Sequence, residues 1–392
     1  MPRFLTTIAL VTLLSVLVHG QVHAQKIDPA GAKTLTVEQA TELLKQPNSL
    51  RLSVMDLSPE VAVVLAKYKG ELRFEVLTTL SPEAAAALAT REGQIDLPKL
   101  TALSPDVAKA LSAAKGALNL SGVKDLPTNV AEAISAHAGE LSLGVSELSD
   151  DAAAALAKHQ GELRLRSLKS LTSLALATKL GQQESMFLDG VTKLTPEIAK
   201  ALCPPVNRNR GWLTIGLTEL PPDVAAAIMA GRTHISLGRL ESISDEAAAT
   251  WAGPFANIRL FGLKTLTPAA GASLAKGSGI FDIRNFGPEL SDETAAAIAK
   301  QMASGGHRMI DFNGLKKLTS PALAVAVLSR YGQGPHSSLN GVAEITDDVA
   351  KALAESKGKL NGLPSLTSLT SAPLAAKYAA QPGDLKLSLI HI

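Results

Sequence analysis

The side chains able to do chemistry are few, and their spacing is regular. His137 and His159 each stand two places before a glycine, Gly139 and Gly161. Two imidazoles in register could hold a metal ion. The same slot elsewhere carries Tyr68, Arg91 and Ala114, so the pattern provides no third ligand of the kind a zinc site needs. Cys203, the single cysteine, can form neither an internal disulfide nor a four-ligand zinc site. Its slot is filled in other stretches by Ala66, Ala89, Ser112, Ala157, Met229 and Ala252, which marks it as a packing thiol. His234, His307 and His336 are scattered. No G-x-S-x-G, H-E-x-x-H or P-loop phrase occurs, and catalysis needs a nucleophile, base and orienting group that converge. The sequence reads as that of a non-enzyme without metal or cofactor.

The regularity itself carries more information. The phrases Leu57-Ser58-Pro59-Glu60, Leu80-Ser81-Pro82-Glu83 and Leu103-Ser104-Pro105-Asp106 return in looser form at Leu126, Leu148, Leu171, Leu194, Leu220, Ile243, Leu266, Leu290, Leu318 and Ile345. An opening copy starts at Leu35 and a last one near Leu366 or Leu369. That makes about fifteen units, spaced 22 to 28 residues apart. In each, Ser or Thr after the anchor leucine can cap a helix, proline suits the first helical position, and the acid that follows faces the positive helix end. An alanine and a larger apolar residue three places on, such as Ala85 and Leu88, share one inward helical face. Glycines such as Gly70, Gly93, Gly116, Gly139 and Gly161 are expected to end the helices in the left-handed conformation. Alternating pairs such as Leu72 and Phe74, or Leu141 and Leu143, then predict a strand.

This repeat resembles the leucine-rich repeat family, over nearly the whole chain after its first residues. The resemblance implies an α/β, right-handed solenoid with parallel strands on its concave face and short helices on its convex face. Strands pack about 4.8 Å apart and helices about 8–10 Å apart, so the helical side must form the longer arc. One departure is plain. Where the family has Asn or Cys after the strand, this chain has Leu77, Leu100, Val123, Leu168, Val191, Leu240 and Leu263. The buried asparagine ladder is absent, and the turn's backbone groups need other partners.

The positions between the inward leucines form an outward column: Arg51, Arg73, Asp96, Asn119, Ser142, Arg164, Phe187, Thr214, Ser236, Arg259, Asp282 and Asp311. The next column adds Glu75, Ser121, Arg166, Asp189, Phe261, Arg284 and Asn313. Mixed charge that varies from unit to unit suits a recognition surface, and aromatics concentrate in the later units. The candidate ligand-binding set is therefore Phe187, Trp212, Arg259, Phe261, Asp282, Arg284, Asp311 and Asn313. All are expected to project outward. The longer units 204–211, 303–308 and 332–338 place insertions along one edge, where they could be binding loops or tolerated length variation.

Composition bounds the partners. Lys and Arg number 38 against 36 Asp and Glu, which gives no electrostatic reason to expect nucleic acid. A hydrophobic fraction of 46% excludes wholesale disorder. Residue Arg3, the apolar run 4–18 and the short polar stretch after it, which ends in Val22-His23-Ala24, read as a signal peptide (1–24) cleaved after Ala24. No later segment is apolar and long enough to span a membrane. Residues 25–392 then form a single solenoid domain in an extracytoplasmic (secreted or periplasmic) protein. The closing apolar run 385–392 lacks a polar cap and reads as a truncated end. The expected function is non-catalytic recognition of a protein or a surface polysaccharide. The alternative is a structural spacer or lattice protein of the cell envelope with no discrete ligand.

Overall fold

The computed structural model describes residues 34–205, 211–253, 256–287, 289–304, 307–331, 339–357 and 363–380. The leader (1–24) and the end at 385–392 lie outside the described residues, as do 206–210, 305–306 and 332–338 within the three long units. Helices and strands alternate along the chain. The helices are α1 (Val37–Leu43), α2 (Pro59–Leu65), α3 (Pro82–Ala89), α4 (Pro105–Ser112), α5 (Thr128–Ser135), α6 (Asp150–Leu156), α7 (Leu174–Gly181) and α8 (Pro196–Leu202). They continue as α9 (Pro222–Gly231), α10 (Asp245–Thr250), α11 (Pro268–Ala275), α12 (Asp292–Ala303), α13 (Pro321–Tyr331), α14 (Asp347–Glu355) and α15 (Ala372–Ala379). The first sheet holds β1 (Ser49–Leu52), β2 (Glu71–Phe74), β3 (Ile95–Asp96), β4 (Leu118–Leu120), β5 (Leu141–Leu143) and β6 (Leu163–Arg164). The second holds β7 (Met186–Leu188), β8 (Leu213–Ile215), β9 (His234–Ser236), β10 (Asn257–Arg259), β11 (Ser278–Asp282) and β12 (His307–Asp311). All described strand pairs are parallel and join neighbours in sequence order. This is an α/β solenoid of the leucine-rich-repeat kind.

The third unit shows why the local sequence folds this way. Ser81 is extended and its hydroxyl accepts from the Ala84 amide, Pro82 opens α3, and Glu83 occupies the first turn. Ala84, Ala85 and Leu88 are buried against the strand layer, where Leu72, Phe74 and Ile95 meet them. Leu65, Leu88, Leu111 and Leu156 all lie in this core, and each is expected to contribute about 2–5 kcal/mol over alanine. Helices pack on the next helix and strands on the next strand, so the core is a continuous seam between two layers. Two units depart from the cap rule. Pro127 and Pro221 occupy the cap position of α5 and α9, and no side chain caps either helix.

The glycines do a different job from the expected one. The described left-handed glycines are Gly253, Gly277 and Gly279, and the set Gly70, Gly93, Gly116, Gly139 and Gly161 is not among them. Their role is close approach between turns. A Cβ at Gly116 would lie 2.4 Å from the Gly93 carbonyl oxygen, and one at Gly161 would lie 1.9 Å from that of Gly139. These two units can stack at strand spacing because Gly116 and Gly161 carry no side chain, whereas a Cβ at Gly93 would meet the Arg91 side chain.

The missing asparagine ladder is replaced by tight turns. The Leu100 amide donates to the Leu97 carbonyl at 3.2 Å, and Val123 to Leu120 and Leu168 to Leu165 repeat the bond at 3.0 and 3.1 Å. The side chains of Leu77, Leu100, Val123 and Leu168 fill the core. Among the described residues twelve strands line the face. The remaining two, β13 (Lys317–Leu318) and β14 (Glu344–Ile345), pair at the turn before their helices.

The break between the two sheets follows helix α7. That helix is capped by Ser173, two places after Leu171 rather than one, and residues 182–185 lead from it to β7. Gln183 swings in and pairs with β6: its Oε1 accepts from the Leu163 amide at 2.7 Å and its Nε2 donates to the Leu163 carbonyl at 3.1 Å. One side-chain amide thus takes the place of a strand's peptide group. Arg232 holds the same corner, donating to the carbonyls of Gly181, Gln183 and Glu184.

Candidate recognition face

The strand register aligns the outward side chains into straight columns. Arg51, Arg73, Asp96, Asn119, Ser142 and Arg164 are successive Cα partners in the first sheet. Phe187, Thr214, Ser236, Arg259, Asp282 and Asp311 are successive partners in the second. Counting one residue back from each inward position gives a further column that the pattern reading passed over. In the second sheet it runs Trp212, His234, Asn257, Ile280 and Met309, set by the same register. Trp212 belongs to this column, and His234 beside it is the functional candidate the sequence reading missed.

On the first sheet, arginines and acids neutralise each other. Arg51 lies 3.6 Å from Glu75, Arg73 2.7 Å from Asp96, and Arg164 3.0 and 2.9 Å from Glu140 and Glu162. Asn119 donates to the second Asp96 oxygen at 2.7 Å. A shallow cleft of about 170 Å³ opens over β1 to β3, lined by Arg51, Glu71, Arg73, Gln94 and Asp96. Of its charged walls, Arg51, Arg73 and Asp96 are already paired.

The second sheet is built around aromatic rings under guanidinium groups. Arg166, at the end of β6, stands 4.2 Å from the centre of the Phe187 ring. Arg259 reaches back across β9 to stand 3.8 Å over Trp212, and Arg284 lies 5.6 Å over Phe261. His234 meets Trp212 edge-on at 5.2 Å. Phe187, Trp212 and Phe261 are half-buried, so the rings expected to be bare contact area are roofed by cations that the ring quadrupole attracts.

Asp282 also departs from the reading of an exposed column. It is 2% exposed, and Arg284 binds both its oxygens at 3.0 and 3.1 Å through Nε and one at 2.6 Å through Nη2. The hydrogen bond to Asp282 pushes the Arg284 guanidinium above its ordinary range. Asp311, 3.5 Å from the same arginine, is nonetheless raised, because its burial outweighs that attraction. Asp96 and Ser236 are buried too. The recurrence of Asp and Asn in this column has a structural reason at three positions, where the side chain closes the strand end by accepting from the amide two residues on. Asp96, two places before Pro98, accepts from Arg73 and Asn119 instead. Asn119 takes Ser121 at 3.0 Å, Asp282 takes Arg284 at 3.2 Å, and Asp311 takes Asn313 at 2.9 Å. Asn313 in turn accepts from the Asn340 amide at 2.9 Å, which stitches it to the next unit.

The remaining chemical candidates are buried. His137 and His159 stack with ring centres 6.0 Å apart and planes 17° from parallel. His159 Nδ1 lies 3.4 Å from the Ser135 carbonyl oxygen, and burial drives its pKa down. Among the described residues no group of three His, Cys, Asp or Glu side chains is placed to hold a metal. Burial pushes the Cys203 thiol up to about 12, which leaves it a neutral packing group at physiological pH. No helix among the described residues is long and apolar enough to cross a membrane.

No family model matches the sequence, and no curated protein matches it. Among solved structures, a leucine-rich-repeat protein of Leptospira interrogans aligns over 87% of this chain and 87% of its own, at 14% identity and a TM-score of 0.35. The fold assignment rests on the strand and helix repeat itself.

Proposed function

We propose that this protein is an extracytoplasmic, non-catalytic recognition module that binds a protein or surface polysaccharide on the outward strand face of its second sheet. The observation that supports this reading is the change of surface at β7. Paired charges give way to half-buried aromatics under arginines, the residue types that concentrate binding energy at interfaces. Phe187, Trp212, Arg259, Phe261 and Arg284 form the proposed contact set, Asp282 and Asp311 position Arg284, and Asn313 anchors the adjoining turn. The leader directs export, and cleavage after Ala24 leaves Gln25 as the first residue. Sequencing the exported protein's N-terminus checks that point.

Recognition predicts saturable, competable binding, and hydrogen exchange in the complex should slow at β8 to β10. Protection confined to the helices, or at the edge insertions 204–211 and 303–308, would move the site off the sheet. Ordered self-assembly of the purified protein without a saturable ligand would favour the structural-spacer reading, to which the neutralised face of the first sheet is suited.

A further inference from the structure

The middle of the second sheet is unlike any other part of the face. The nine outward positions on and beside β8, β9 and β10 are Trp212, Thr214, Gly216, His234, Ser236, Gly238, Asn257, Arg259 and Phe261. None is acidic. The matching positions of the first sheet include Glu71, Glu75, Asp96, Glu140 and Glu162. Within the nine, Arg259 has no carboxylate partner among the described residues, whereas Arg51, Arg73, Arg164, Arg166 and Arg284 each have one. Its guanidinium carbon stands 3.8 Å over the centre of the Trp212 ring. The N–H groups of a guanidinium lie in its plane, so stacking leaves them available to a bidentate acceptor. Gly238 leaves the ground beside it open, since a Cβ there would meet nothing within 4 Å, whereas one at Gly216 would lie 2.1 Å from the Asp189 carbonyl oxygen. The exposed Arg239 lies close by, its Cδ 3.4 Å from where a Gly216 Cβ would be.

Resting on the proposed function, we propose that β8 to β10 form a carboxylate-recognition subsite. Its occupant is an extended protein segment carrying an isolated Glu or Asp, bound bidentately by Arg259. Three adjacent strands span about 10 Å between the outer two, which suits one side chain and its neighbours. A repeating polyanion gains little beyond Arg259, because the flanking arginines are already paired, Arg166 with Asp189 and Arg284 with Asp282 and Asp311. Sugar stacking is also disfavoured, since each ring already carries a guanidinium.

The test uses three probes on the exported chain: a blocked peptide with one central glutamate, its glutamine counterpart, and polygalacturonate. The readout is the indole N–H resonance of Trp212. Trp251, the other tryptophan, is buried with its Nε1 donating to the Ala225 carbonyl at 2.9 Å and serves as the internal control. The glutamate peptide should shift the Trp212 resonance saturably and leave Trp251 still. Arg259→Gln should weaken that binding at least tenfold, and Arg259→Lys should restore part of it. The glutamine peptide should bind at least tenfold more weakly. Equal binding of both peptides, or no loss in Arg259→Gln, overturns the proposal. Tighter binding of polygalacturonate per carboxylate overturns the protein occupant. The broader reading fails separately: a captured partner that protects β8 to β10 but ignores Arg259→Gln leaves recognition standing and removes only the carboxylate subsite.

Discussion

In the first sheet, Arg51, Arg73 and Arg164 meet carboxylates within 3.6 Å, and the face is a lattice of internal pairs. In the second, the same column position holds Phe187, Thr214, Ser236, Arg259, Asp282 and Asp311. Arg166, Arg259 and Arg284 each stand over an aromatic ring, and of these Arg259 is the one without a carboxylate partner among the described residues. The backbone plan is shared, since both sheets carry the same register of inward leucines and the same capped helices. What differs is only the residue between them. A repeat scaffold can therefore hold its stability constant while its surface is rewritten unit by unit, because inward and outward positions alternate along each strand. The seam at Gln183 is where the two surfaces join.

The largest expected effect tests the shared backbone. Gly161→Val would place a branched side chain where a single Cβ already lies 1.9 Å from the Gly139 carbonyl oxygen. Opening the stack there should cost about 3 kcal/mol or more. Gly238→Ala in the second sheet meets nothing and should stay within about 0.5 kcal/mol of the parent. Urea unfolding of the two variants checks the contrast, and equal effects would show that unit spacing tolerates side chains at these turns.

Next comes the seam. Gln183→Leu leaves the Leu163 amide and carbonyl without their partner in a buried place, at a cost of about 2 to 3 kcal/mol. Because coupling between neighbouring units makes a solenoid unfold together, this change should also split one transition into two. Gln182→Leu, at the exposed neighbouring position, is the control and should leave the transition single.

Arg284→Ala and Arg51→Ala separate the two kinds of ion pair. The first uncovers Asp282, which is buried, and should cost about 1 to 2 kcal/mol. The second removes an exposed pair and should cost less than about 0.5 kcal/mol. This differs from what the column pattern alone suggests, namely that outward substitutions leave stability nearly unchanged.

These contrasts also show what the sequence made legible. Helix starts were readable because cap, proline and acid act within four residues, as Ser81 to Ala84 demonstrates. The columns were readable because the strand period is two and the units are nearly equal in length, so Arg51 and Arg164 fall in one line across six strands. The burial of Asp282 was not readable, since it depends on how Arg284 folds over it. Gly161 could pass for a helix stop, because a clash with a carbonyl one unit away leaves no local mark. The seam did leave one: Ser173 follows Leu171 by two places instead of one, at the start of the helix that leads to Gln183.

A smaller effect is confined to acid and belongs to the first sheet's helical side. The folded His159 has its pKa lowered by burial, with His137 and Lys179 adding like charge. The unfolded chain then binds the proton more readily. Stability is complete above the unfolded value of about 6.5 and declines as pH falls below it towards the folded value. His159→Leu should flatten that decline, read as the difference in Tm between neutral and mildly acidic buffer. A parallel decline in the variant would assign the acid sensitivity to other groups, though not to Asp311, whose raised folded-state pKa acts in the opposite sense.

The smallest expected change in stability carries the most information about function. Arg259→Gln removes a guanidinium from the Trp212 ring but breaks no ion pair found among the described residues. The loss is that of one half-exposed cation–π contact, about 0.5 kcal/mol. Arg73→Gln at the equivalent column position loses the pair to Asp96, which is buried and also holds Asn119, and should cost more. A change this small would agree with the proposal that Trp212 holds Arg259 ready for a partner outside the chain. If thermal melts instead show Arg259→Gln falling as far as Arg73→Gln, the Trp212 stack is structural, and the distinction between the two faces narrows to their charge alone.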